Sequence, residues 1–204
     1  MFLVRGGYAP QIKILAAIWF LFSFGVTAFY WRKETVGLAA ITVASLLGGI
    51  LYFQLLQVSA TAFVLSLLAN AIFCASLYAM NLGHWYLNVH GLPIAHLKRA
   101  SYFLWGLIGL RLVWDVFYGI VGKTMFDGDE IFVRHFLLQP DGIFLLVGIV
   151  FGIVLPFIAL FMVKEILRLK NTQATTGILY VVLCSVVLAD LTFKYYFFKY
   201  QILF

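Results

Sequence analysis

Six stretches of this chain are each long and apolar enough to cross a bilayer, and that pattern constrains the fold more than any motif does. A helical crossing takes about 20 mainly apolar residues, and the windows at roughly 12-31, 36-57, 60-86, 99-121, 140-164 and 174-197 meet that length. Backbone amides in hydrocarbon must find their partners within the chain, so such windows fold as helices. The expected fold class is an all-α integral membrane protein, with residues 1-204 as one transmembrane domain, a single bundle of six transmembrane helices. Composition agrees, because a chain that is 64% hydrophobic and only 11% charged carries more apolar surface than a water-soluble domain of this length buries. Val26-Thr27-Ala28 weakly resembles a signal-peptide cleavage site, yet the first window reads as a span.

The connections set neighbours and orientation. Gln57-Val58-Ser59 allows only an antiparallel hairpin, and Trp31-Arg32-Lys33-Glu34 is nearly as tight, so the first three helices are expected to be sequential neighbours. Two connections have room for structure of their own, 87-98 with its histidines and 122-139 with Asp127, Asp129 and Glu130. The net charge of +6 is spread over the ends of apolar runs, where membrane topology accounts for it and a nucleic-acid partner is not implied. Arg32, Lys33, Lys98, Arg99, Lys164, Arg168 and Lys170 in short connections slightly outweigh Arg5, Lys13, Lys123, Arg134, Lys194 and Lys199 on the other face. By the positive-inside rule both termini are expected outside, in a multi-pass protein of the plasma (inner) membrane.

Polar side chains within apolar helices mark helix contacts or a functional path. In the third window Asn70, Cys74, Tyr78, Asn81, His84 and Asn88 recur at helical spacing and are expected to face protein. In the fourth, Arg111 falls near mid-bilayer with Asp115 one turn on, either a structural ion pair or part of a charged path. Asp190 in the sixth window and Asp141 at the start of the fifth fall on the same side as Asp115. The three carboxylates and Arg111 are expected to converge there, an arrangement suited to proton release or a quinol head group. The competing expectation is that Asp190 pairs with Lys194.

Toward the other face, His84, Asn81, Trp85, Gln173 and Tyr180 form a candidate contact for quinone, or for a haem shared with a partner subunit. Haem held by two histidines of this chain is not expected, because only His84 falls within a span at the right depth. Zinc is not expected either: His84, His90 and His96 are six residues apart, with Gly91 and Pro93 between, which matches no ligand spacing. The plainer reading of "NLGHWYLNVHGLPIAHLKRA" is an interfacial helix end, a turn and a basic anchor.

Weaker signals concern packing. Gly148 and Gly152 form a GxxxG, Pro156 should kink the fifth span, Gly177 suggests close packing at the start of the sixth, and Cys74 and Cys184 read as small packing residues. The aromatic and basic tail "FKYYFFKYQILF" reads as an interfacial anchor open to another subunit. GxSxG, HExxH, CxxC, P-loop and Rossmann signatures are missing, so no catalytic residue or metal ligand is assigned.

The function expected from these features is that of a small hydrophobic subunit of a larger electron-transfer (respiratory-type) complex, contacting quinone or haem or packing the assembly. With no cofactor assigned to this chain alone, it would work with other membrane subunits in the lipid bilayer rather than as a stand-alone enzyme. The alternatives are a proton, ion or small-molecule transporter using Arg111, Asp115 and Asp190, and a lipid- or isoprenoid-modifying enzyme with His84 as base and the 122-139 carboxylates on a metal.

Overall fold

The computed structural model describes residues 10–31, 33, 37–56, 59–89 and 91–204. Arg5, Arg32, Glu34, the Gln57-Val58 turn and His90, used above for topology and the histidine motif, lie outside the described residues. In chain order the elements are α1 (Pro10–Tyr30), α2 (Leu38–Leu56), α3 (Ala60–Asn88), α4 (Ala95–Val121), β1 (Lys123–Phe126), β2 (Asp129–Phe132) and α5 (Val133–Phe136). A 3-10 turn (Pro140–Gly142) then leads into α6 (Ile143–Ile149), a π-helical turn (Val150–Val154), α7 (Leu155–Arg168) and α8 (Thr172–Tyr200). All six apolar windows are thus helical. Among the described residues five helical runs, with Pro140–Arg168 counted as one, are long and apolar enough to cross a membrane, and α2 is a shorter apolar helix.

The chain divides into two compact units, Met1–Phe63 and Val64–Phe204, and α3 crosses the division in its first turn. In the first unit α1 and α2 form an antiparallel hairpin. Trp19 Nε1 donates to the Ala44 carbonyl at 3.1 Å, and Gly48 leaves the indole its space, since a Cβ there would lie 2.8 Å from that nitrogen. Burial is slight, with none of the described α1 residues buried.

The second unit is a helical bundle. Leu97, Leu104 and Ile108 of α4 pack with Val163 and Leu167 of α7 and with Leu179 and Val182 of α8, all essentially inaccessible. Lipid tails are as apolar as leucine, so close approach and polar contacts, rather than transfer from water, hold such helices together. The glycines show where approach is closest. A Cβ on Gly152 would lie 1.9 Å from Ala189 Cβ, and one on Gly148 2.7 Å from Thr192 Cγ2, so the GxxxG is the seam that lets this run meet α8. Gly83 of α3 meets Thr176 of α8 in the same way. Gly177 has open space where close packing was expected, because Thr176, its neighbour, makes that contact instead.

Pro156 leaves its mark one turn early. It has no N–H to offer the Gly152 carbonyl, and the winding widens to the π turn immediately before it, within the run where a kink is expected.

The 122-139 connection is a folded cap. Asp127 and Gly128 have φ of 51 and 93, the left-handed conformations of a two-residue hairpin turn, and β1 pairs antiparallel with β2 from Lys123↔Phe132 to Phe126↔Asp129. Phe136 of α5 is fully buried against Phe126, Tyr196 and Tyr200. The C-terminus folds back beneath this cap, with Ile202 and Phe204 buried, Trp114 Nε1 donating to the Leu203 carbonyl at 2.9 Å and Thr124 Oγ1 to the Tyr200 carbonyl at 2.8 Å. The tail is therefore only partly a surface: Tyr195, Phe198 and Lys199 are exposed, while Tyr196 is core.

Candidate functional site

Arg111 and Asp115 are one helical turn apart on the inward face of α4, and their side chains meet with Nε 3.1 Å from Oδ1. Both are sealed, at 3% and 1% exposure. Arg111 also donates through Nη1 to the Leu65 carbonyl of α3 at 3.4 Å and lies against the Phe193 ring of α8, 5.3 Å from its centroid. The pair therefore ties α4 to two neighbours. Sequence reasoning found the pair but neither Leu65 nor Phe193, because a carbonyl and an aromatic ring carry no mark of the guanidinium they will meet. Among the described residues Asp115 Oδ2, which is buried, has no partner, and neither do Ser101 Oγ and Trp105 Nε1 on the same helix.

The expected convergence of carboxylates does not form as one cluster. Asp190 lies close enough for its charge to act on Arg111, yet it accepts its hydrogen bond from Lys194 Nζ at 2.5 Å. Asp141 lies 3.8 Å from Lys199. Each carboxylate has acquired its own cation, because a lysine one turn along, or across the α6–α8 contact, is nearer than Arg111. Asp190 with Lys194 is the competing expectation realised.

At the other end of the unit the candidate quinone group is brought together only in part. Tyr180 Oη and His84 Nδ1 are 3.4 Å apart, linking α8 to α3 beside the Gly83–Thr176 contact. Asn81, Trp85 and Gln173 are exposed, and among the described residues no side-chain hydrogen bond joins them to that pair. Thr175 and Thr176 are buried and bond back to the carbonyls of Asn171 and Thr172 within α8. Tyr86 donates to the Pro93 carbonyl and Gly91 has φ 86, so the stretch after His84 is a tied turn. His96 is exposed in the first turn of α4.

The polar stripe of α3, expected to face protein, does not face its own bundle. Ile72, Ser76, Ala79 and Gly83 form the buried face. At 100° per residue, Asn70, Cys74, Tyr78, Asn81, His84 and Asn88 fall about 180° away, and all six are exposed. Helical periodicity shows that residues share a face, not which face turns inward.

The acidic loop is likewise reassigned. Asp127 is a turn residue, and Glu130 pairs with Lys123 at 3.0 Å across the hairpin. Among the described residues no three His, Cys, Asp or Glu side chains are gathered closely enough to hold a metal ion. No family model matches the chain, and no curated protein or solved structure does.

Proposed function

We propose that the chain is a non-catalytic, multi-pass subunit of the plasma (inner) membrane that works embedded in a larger assembly. The observation that carries this reading is the exposed polar face of α3. Asn70 lies ten residues into a helix of membrane-spanning length, about 15 Å from its start, and Asn81 and His84 continue the same face. Hydrocarbon cannot hydrogen-bond a carboxamide, and leaving one unpaired there costs several kcal/mol. A partner helix with its own polar side chains removes that penalty.

The partner class we favour is an electron-transfer, respiratory-type complex. His84 and Tyr180, paired at 3.4 Å and exposed, supply an imidazole and a phenol at the edge of that face, groups suited to a quinone carbonyl or, for His84, to a haem shared with the partner. The closed Arg111–Asp115 pair fits a subunit that holds its own bundle together better than a transport path, since neither side chain is reachable from outside. In this reading six helices cross the membrane and both termini face the exterior.

Mild-detergent extraction, affinity isolation and mass spectrometry, with a reduced-minus-oxidised optical spectrum of the same sample, test the proposal. Haem- or iron-sulfur-bearing partners in fixed ratio are the expected result. A colourless, partner-free chain overturns it. The double substitution Asn70→Leu, Asn81→Leu should release the partners while the chain itself still inserts. His84→Ala should leave the assembly intact but change the spectrum or the quinol kinetics.

A further inference from the structure

The start of the Pro140–Arg168 run and the last turns of α8 enclose a cleft of about 490 Å³, whose polarity changes along its length. At its inner end Phe144 and Leu191 present apolar surface, both well exposed. Lys199 lies eight residues further along α8, about 12 Å, and there the wall becomes charged. Lys199 Nζ faces Asp141 Oδ1 at 3.8 Å and lies 4.8 Å from the centroid of the Tyr200 ring and 5.6 Å from that of Tyr195. A separation of 3.8 Å is too long for a formed hydrogen bond, and both side chains are about half exposed, at 46% and 51%. The Lys194–Asp190 pair one turn earlier is closed at 2.5 Å, so the open spacing is particular to the cleft.

We propose that this cleft binds one phospholipid with a primary-amine head group, phosphatidylethanolamine, taken from the surrounding leaflet. The chemistry is complementary at both charges. The phosphate takes the Lys199 ammonium, which the Tyr195 and Tyr200 rings already hold in place, and the lipid ammonium takes the Asp141 carboxylate. An acyl chain then runs inward over Phe144 and Leu191. The open Lys199–Asp141 spacing matches the alternating charges of a zwitterion; an anionic head group without an amine leaves Asp141 facing negative charge, and a quaternary ammonium has no N–H to donate to it.

Native mass spectrometry of the full chain, in micelles supplemented with phosphatidylethanolamine, phosphatidylglycerol or phosphatidylcholine, tests this. Wild type should retain phosphatidylethanolamine about tenfold more tightly than either other lipid. Asp141→Asn should abolish the preference over phosphatidylglycerol, and the contact of Tyr196 with residue 141 survives because it is made to the backbone carbonyl. Lys199→Gln should weaken phosphatidylethanolamine and phosphatidylglycerol together, Leu191→Trp should obstruct all three lipids, and Lys98→Gln, at the far end of α4, should change nothing. An unchanged thermal midpoint identifies the variants that still fold. Equal retention of the three lipids by wild type, retention of none, or an unaltered preference in folded Asp141→Asn overturns the proposal.

Discussion

Two ion pairs in this molecule share one helical spacing and have opposite surroundings. Arg111–Asp115 on α4 and Asp190–Lys194 on α8 are both one turn apart, hydrogen-bonded at 3.1 and 2.5 Å. The first is sealed at 3% and 1% exposure, whereas in the second Asp190 is 23% and Lys194 50% exposed. Spacing is enough to form either pair. Burial decides what each does, because attraction between charges grows in a low-dielectric interior while the penalty for leaving one of them alone grows faster. Arg111 gains Leu65 and Phe193 as further partners, but Asp115 keeps one orphaned oxygen. The buried pair is thus a fixture whose two halves depend on each other, and the exposed pair is a surface detail.

The comparison breaks most sharply if one half of the buried pair is removed. Arg111→Leu leaves Asp115 buried without its partner, and should lower unfolding stability in mixed micelles by about 3–5 kcal/mol. The double variant Arg111→Leu, Asp115→Met should recover most of that loss. A double variant as unstable as the single one would show that the pair contributes more than mutual neutralisation. Turnover or flux lost from a stable double variant would instead revive the charged-path reading.

A smaller effect should come from the seam that closes over Arg111. Phe193 is held near the guanidinium because α8 meets the GxxxG at Ala189 and Thr192. Gly152→Leu pushes that seam apart and should cost about 1–3 kcal/mol. Combined with Arg111→Leu, the two losses should not add, since each opens the same contact. Gly177→Ala, which meets open space, serves as the unaffected reference.

The smallest change belongs to the exposed pair. Lys194→Ala should shift stability by less than ~1 kcal/mol, and the shift should fade as salt is raised. A loss equal to that of Arg111→Leu would mean that burial is not the deciding variable.

Sequence reading succeeded where a local rule was sufficient and failed where orientation was needed. The six apolar windows are helices because each satisfies its own backbone, and the GxxxG is a close-contact face because only glycine admits Ala189 at that distance. Asp127-Gly128 was legible as a hairpin turn but was overshadowed by the carboxylates around it, which suggested a ligand cluster. The α3 stripe was legible only as a shared face. Its six polar residues share a face by periodicity alone, yet the inward face proved to be Ile72, Ser76, Ala79 and Gly83. In water a polar stripe faces out by default, but in an apolar solvent it faces whatever protein offers hydrogen bonds, and that partner need not belong to the same bundle.

The sequence by itself determined that this chain is helical, that its helices have membrane-spanning character and that Arg111 would find Asp115. Those outcomes follow from backbone satisfaction and one-turn spacing, which are local. Tertiary structure decided that Asp141 would lie opposite Lys199, that the tail would return as core beneath a hairpin cap, and that the polar face of α3 would point outward from its own bundle. These are choices among helix rotations of nearly equal local energy. A helix that is apolar all round carries no stripe to orient it, so small-residue contacts such as Gly152 on Ala189 and Gly83 on Thr176 select the rotation that the sequence leaves open.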